Sequence, residues 1–129
     1  ADHSGTDQPV NAQGLLHPIY RFNDNYYLLA REGDTFKALG KEVGISWRKL
    51  ARYNERDKHA VLHKGDIIYL KKKRKKAPKQ YKKRPHVIKQ GESMYLISQK
   101  YGIRLKSLYK MNHLDPNVPV SIGTSLRIR

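Results

Sequence analysis

Displaced by 58 positions, the second half of this 129-residue sequence falls on the first without a gap. Gly33 then meets Gly91, Gly44 meets Gly102, Ile45 meets Ile103, Leu50 meets Leu108, Asn54 meets Asn112, Asp57 meets Asp115 and Gly65 meets Gly123. Conservative pairs fill the intervals: Thr35 with Ser93, Phe36 with Met94, Leu39 with Ile97, Ile68 with Leu126 and Leu70 with Ile128. The matches fall on glycines, helix caps and periodic apolar positions, the places that structure constrains. Self-similarity at one fixed period means that a single supersecondary unit occurs twice. Each copy is small enough for independent folding to be marginal.

Each copy reads as strand, helix, helix, strand. Tyr26 to Arg31 and His86 to Lys89 are short runs that lead to a glycine, as opening strands do. Thr35 and Ser93 are suited to cap the helix that follows. Phe36, Leu39, Gly40 and Val43, matched by Met94, Ile97, Ser98 and Tyr101, form the i, i+3, i+4, i+7 stripe of a helix with one buried face. Gly44 and Gly102 close that helix in the left-handed conformation. Ser46 is expected to cap the second helix. The pairs Ile45/Leu50 and Ile103/Leu108 have hydrophobic-staple spacing, and Arg104 in place of the serine predicts a weaker second cap. Asn54 and Asn112 end the second helices as residues that tolerate left-handed backbone. The closing strands are Ile67–Leu70 and Ser125–Ile128, which alternate as half-buried strands do.

Composition narrows the class. The chain is 38% apolar with a mean hydropathy of −0.81, so one large core is not expected. Without cysteine it has neither disulfides nor thiolate metal sites. No apolar run nears the ~20 residues that cross a bilayer. The chain starts at Ala1 without the charged-then-apolar opening of a signal peptide, which suits a processed product or an excised piece. The net charge of +16 is uneven: −2 over residues 1–26, +3 over 27–70, +10 over 71–85 and +5 over 86–129. The expected organisation is therefore an N-terminal tail or linker (1–26), repeat one (27–70), a Lys/Arg-rich linker (71–85) and repeat two (86–129). The linker reads as a solvated, self-repelling spacer that also attracts anionic wall polymers or a membrane surface through Lys71 to Pro85. The alternative is a basic nucleic-acid-binding protein that uses this segment, with Tyr81 stacking a base.

The order Gly33-Asp34-Thr35-Phe36, Gly44-Ile45-Ser46, Asn54, Gly65-Asp66-Ile67-Ile68-Tyr69-Leu70 resembles the LysM family. Gly91-Glu92-Ser93-Met94, Gly102-Ile103, Asn112 and Gly123-Thr124-Ser125-Leu126-Arg127-Ile128 resemble it again. The resemblance implies an α+β fold of two βααβ units, each with two helices on one side of a two-stranded antiparallel sheet. It also implies non-catalytic binding of N-acetylglucosamine-containing glycans, peptidoglycan or chitin, in a shallow groove. One wall of the groove would be Gly33, Asp34, Thr35 and Phe36, or Gly91, Glu92, Ser93 and Met94. The other would be Arg56, Asp57, Val61 and Leu62, or Leu114, Asp115, Pro119 and Val120. Repeat one has Arg56-Asp57-Lys58-His59 where the family commonly has leucine, so repeat two, with Leu114, is expected to have the more family-like groove. The whole pattern also resembles the C-terminal wall-anchoring region of glucosaminidase-type hydrolases of Bacteroidetes, which implies work outside the cytoplasm.

The residue types suit such a ligand. A glycine before the helix lets a sugar approach the main chain, and first-turn N–H groups are available to its amide oxygen. Thr35 and Ser93 have capping as their main role, and Phe36 and Met94 begin the buried stripe. Other chemistry is poorly served. His59 and His63 are four apart but in a loop, without the glutamate of a metal motif. No pair of carboxyls stands out for glycoside hydrolysis. Trp47 reads equally as core cover or surface aromatic. A monomer without cofactor or metal is expected.

Overall fold

The computed structural model describes residues 15–129 and the backbone of Pro9 and Val10. The rest of the expected tail, 1–8 and 11–14, lies outside the described residues. Among those described, no helix is long and apolar enough to cross a membrane. The chain divides into two compact units, Ala1–Lys73 and Arg74–Arg129.

The first unit has strands β1 (Pro9–Val10), β2 (Ile19–Phe22) and β3 (Asn25–Leu29), helices α1 (Phe36–Val43) and α2 (Trp47–Tyr53), and strand β4 (Ile67–Tyr69). The antiparallel sheet runs β1-β2-β3-β4, with Leu28 opposite Ile68 and Tyr20 opposite Tyr27. Leu28, Phe36, Leu39, Leu50 and Ile68 form its buried cluster. Ile19, from the segment expected to be a tail, packs there too. The hairpin that recruits it turns on Asn23 and Asp24, both at positive φ (52° and 53°). Such a two-residue turn matches the right-handed twist of its strands. Tyr20 stacks on Tyr27 at 5.2 Å, and Tyr27 meets Tyr69 edge-on at 5.8 Å, a cross-strand ladder that binds β2 to the βααβ unit.

The second unit has β5 (His86–Val87), α3 (Met94–Tyr101), α4 (Leu105–Met111) and β6 (Ser125–Leu126). Its two strands pair antiparallel, His86 opposite Leu126, which is the β3–β4 register displaced by 58. Its core gathers Ile88, Met94, Ile97, Ile103, Leu108, Leu126 and Ile128. Hydrogen bonds repeat with the same displacement. Ala30 N–H donates to Asp66 C=O as Ile88 N–H does to Thr124 C=O, both at 2.9 Å.

The first helices follow the expected chemistry. The Thr35 and Ser93 hydroxyls accept from the N–H of Ala38 and Leu96, each at 3.1 Å. Gly44 and Gly102 are left-handed caps, at φ 75° and 65°. At Gly40 an added Cβ would lie 2.5 Å from the Ile45 carbonyl oxygen, so glycine lets α1 approach the chain entering α2. The second helices depart from expectation. Neither Ser46 nor Arg104 makes a side-chain cap, so the predicted difference between them is absent. Ile45 and Leu50 still share the first cluster, and Ile103 and Leu108 the second.

Asn54 and Asn112 are not left-handed (φ −98° and −104°); that conformation falls on the next residues, Glu55 and His113. Their side chains act as clamps instead. Asn54 Nδ2 donates to the carbonyls of Leu50 and Tyr69, both at 2.9 Å, and its Oδ1 accepts from Tyr69 N–H at 2.7 Å. Asn112 does the same with Leu108 (2.9 Å) and with the carbonyl (2.8 Å) and N–H (2.7 Å) of Arg127. One amide thus fastens the end of each second helix to its closing strand, fifteen residues on.

The basic stretch 71–85 also differs from the solvated spacer expected. The Lys73 ammonium is buried and 2.6 Å from Glu55 Oε1. Arg74 bridges to Ile103 beside the α3–α4 junction. Ala77 is fully buried in the second core, with its N–H on Ile128 C=O at 2.8 Å. A 3-10 turn at Lys79–Tyr81 sets the Tyr81 ring edge-on to Tyr101 at 5.3 Å. Lysine charge sits at the tip of a long stem, so a Lys-rich backbone can dock while its charges stay wet.

Asn54 is fully buried and Asn112 half-buried, so their loss is expected to differ. Asn54→Ala should cost about 3 kcal/mol and Asn112→Ala about 1–2 kcal/mol, because the stranded peptide groups reach water only in the second case. Urea unfolding of both variants checks this; equal small losses would remove the clamp's role.

Candidate functional site

The first wall of each repeat begins at a glycine in left-handed backbone, Gly33 (φ 86°) and Gly91 (φ 84°), both exposed and with no atom near a built Cβ. A tight turn follows, in which Asp34 N–H donates to Arg31 C=O (3.0 Å) and Glu92 N–H to Lys89 C=O (3.2 Å). The carboxylates close it from the side. Asp34 Oδ2 accepts from Arg31 N–H at 2.7 Å, and Glu92 Oε1 from Lys89 N–H at 2.8 Å. Thr35 and Ser93 are exposed but occupied in capping. The caps take the third N–H of each helix, which leaves those of Phe36, Lys37 and Met94 at the start of the first turn.

A histidine holds each of these carboxylates, by a different route in each repeat. His17 is buried, with Nε2 2.7 Å from Asp34 Oδ2 and Nδ1 2.8 Å from Glu42 Oε1. The ring thus lies within hydrogen-bond distance of both acids. Glu42 Oε2 also accepts the N–H groups of Leu16 and His17, each at 3.0 Å. At the position of Glu42 the second repeat has Lys100, whose ammonium lies 4.0 Å from Glu92. There the ring is His86, with Nε2 2.9 Å from Glu92 Oε1 and Nδ1 2.7 Å from the Tyr101 hydroxyl. Where two acids face each other a histidine bridges them; where an acid faces a lysine, they pair directly. Offset matching overlooks His17 because the residue 58 positions on, Lys75, has no such role.

The second wall is built on an Asx turn. Asp57 Oδ2 accepts from His59 N–H at 2.8 Å and Asp115 Oδ1 from Asn117 N–H at 2.9 Å. Arg56, half-buried, donates from Nη2 to Val61 C=O at 3.0 Å, whereas Leu114 packs on the second core. Val61 is 72% exposed and Pro119 is exposed, while Val120 packs partly on the core. Phe36, Met94 and Leu62 are buried at 0%, 4% and 4%, so their side chains lie in the cores beneath the expected walls. Through them the walls meet: Phe36 and Leu62 share one cluster, and Met94, Leu114 and Val120 the other. The second repeat also exposes aliphatics that the motif did not single out. Leu96 lies in the first turn of α3, and Val118 and Ile122 in the loop before β6, 49%, 58% and 68% exposed. Their counterparts are Ala38, Ala60 and Lys64, a contrast readable by comparing the repeats for side-chain size.

His59 does not stand apart as a ligand: its ring is 5.1 Å from that of Trp47. Trp47 itself packs partly on the first core, under Arg48 and Lys58.

Burial pushes the Glu92 carboxyl up, but the His86 hydrogen bond, the Lys89 N–H and the charges of His86 and Lys100 outweigh it and hold it below its ordinary 4.5. A depressed carboxyl stabilises the fold above its unfolded value and loses that contribution as pH falls through the folded one. Glu92→Gln should therefore lower the urea midpoint at neutral pH, with the gap to the parent closing below about pH 4.5. A gap unchanged down to acid would contradict this.

Comparison with known families matches the LysM domain to residues 30–71 and again to 86–129. Among solved structures, the Bacillus cereus spore cortex-lytic enzyme SleL is similar at 23% identity and a TM-score of 0.33, over 80% of this chain and 22% of that one. The Bacillus megaterium QM B1551 spore cortex-lytic enzyme SleL is similar at 17% identity and 0.32, over 79% and 22%. The chain thus spans about a fifth of those proteins. No curated protein matches it. With the family matched twice over about two thirds of its length, the chain belongs to the LysM domain family.

Proposed function

We propose that the chain is a non-catalytic module that holds N-acetylglucosamine-containing glycans, peptidoglycan first and chitin-like chains second. Carbohydrate binding follows from its family. The finer reading rests on one observation: in each repeat a glycine-opened turn with helix-start N–H groups is joined, through one buried cluster, to a loop bearing exposed carbon. An acetamido group needs main-chain partners and a pyranose face needs an apolar shelf, and these two walls supply them. Contacts so few bind weakly, and two sites on one repetitive polymer offset that by effective concentration. The module would serve outside the cytoplasm, as the anchor of a wall hydrolase or of itself, as a monomer and with no cofactor.

Repeat two is the stronger site in this reading, because Leu96 and Val118 replace alanines beside its walls. Calorimetric titration of the full chain with a chitin tetramer tests the ranking. Val118→Asp should weaken binding roughly tenfold and Val61→Asp no more than about threefold, since a charge that a sugar face must desolvate disrupts only the wall that carries the contact. The reverse order would overturn the ranking. In a parallel pull-down on insoluble peptidoglycan, retention at high salt is expected; complete release would favour charge attraction or the nucleic-acid alternative.

A further inference from the structure

We propose that the second unit carries a separate site for a sugar phosphate, in a cleft away from the two walls. The cleft, about 500 Å³, lies between the turn 81–85, the end of α4 at Asn112 and the stretch 125–129. That volume suits a ligand of one or two sugar units. Among the described residues that line it, Lys82, Lys83, Arg84, Arg127 and Arg129 are cationic and none is acidic.

The surroundings are held in place, unlike those of a loose basic tail. Ala77 is buried under the cleft, with its N–H on Ile128 C=O and its own C=O accepting from Arg129 Nη1 at 2.7 Å. Tyr81 is fixed against Tyr101, and the N–H groups of Lys82 and Arg84 close turns on Lys79 and Tyr81. Lys83 sits at φ 59°, a conformation that costs a non-glycine residue energy. On the far side the Asn112 clamp grips the backbone of Arg127, whose Nε donates to the Arg129 main-chain oxygen at 2.8 Å. The fold thus gathers like charges around one hollow, whose field favours the entry of an anion.

Guanidinium forks pair with phosphate in bidentate fashion, and ammonium groups bind it as point charges. Tyr81 and Pro85 add carbon surface, as a pyranose ring requires. A nucleic-acid strand would need successive aromatic platforms, and Tyr81 is the one aromatic residue lining the cleft. Preference for an envelope glycosyl phosphate over other phosphates rests on the glycan reading above; the cleft itself does not.

Amide NMR of the full chain, titrated with N-acetylglucosamine 1-phosphate, decides the matter. Expected are shifts within 81–85 and 125–129 that neutral N-acetylglucosamine does not produce. Lys82→Gln/Lys83→Gln should weaken binding roughly tenfold, while the charge-matched Lys72→Gln/Lys75→Gln, outside the cleft, changes it less than about twofold. Equal loss in both variants would reduce the effect to diffuse charge and overturn the site. So would inorganic phosphate binding as tightly as the sugar phosphate, or an oligothymidylate displacing it at lower concentration. A neutral chitin oligomer reports separately on the walls, through shifts at 91–94 and 114–120. Wall shifts with a silent cleft sink this proposal alone, and a responsive cleft with silent walls sinks the glycan reading alone.

Discussion

One side-chain amide per repeat holds the architecture together. A βααβ unit of this size must return its last strand to the first across two short helices; the strand ladder sets its register, and a side-chain link ties it to the second helix. Asn54 and Asn112 provide the link. Each joins a carbonyl at the end of its second helix to both peptide groups of one residue in or beside the closing strand. Helix end and strand are thereby locked, and the ends of the intervening loop are fixed. That loop carries the residues of the expected second wall, so their placement follows from the clamp. The first wall is set at the other end of the sheet by bonds such as Gly65 N–H to Ala30 C=O and Gly123 N–H to Ile88 C=O.

The two repeats reach one shape by different chemistry. Asp34 and Glu92 occupy one position and pin one turn, yet His17 comes from a segment ahead of the repeat and His86 from its opening strand. The difference traces to one place on the first helix, Glu42 against Lys100. Divergence on the outer faces is greater. The second repeat exposes larger aliphatics beside its walls, and the first extends its sheet with a hairpin. The two copies share the skeleton and differ at the surface.

Much of the skeleton was legible because it depends on local rules. Glycines at positive φ, Thr35 and Ser93 as caps, and the apolar stripes each report on a few neighbouring residues, and their recurrence at an offset of 58 made them firm. The errors arose where the deciding partner is distant. Residue type suggests only backbone tolerance for the asparagines, whereas their strand partners are fifteen residues away. Ser46 has the right composition for a cap but makes no side-chain cap bond. The Asn23-Asp24 hairpin and His17 lie where the second repeat offers no counterpart, so comparing the halves could not reveal them. In the basic stretch, net charge obscured Ala77 and Tyr81, the residues that fasten it. The expected walls rest on family pattern; which of their side chains face outward depends on packing, as the burial of Phe36, Leu62 and Met94 shows.

In the proposed function a polysaccharide amide docks on main chain beside the glycine-opened turn of each repeat. A crystal structure grown with a chitin oligomer tests it most directly. The account predicts an acetamido group hydrogen-bonded to backbone within 91–94, with the sugar face against the 114–120 loop, and a matching, less occupied site in repeat one. Sugar bound elsewhere on the molecule, with both pairs of walls empty, would contradict it.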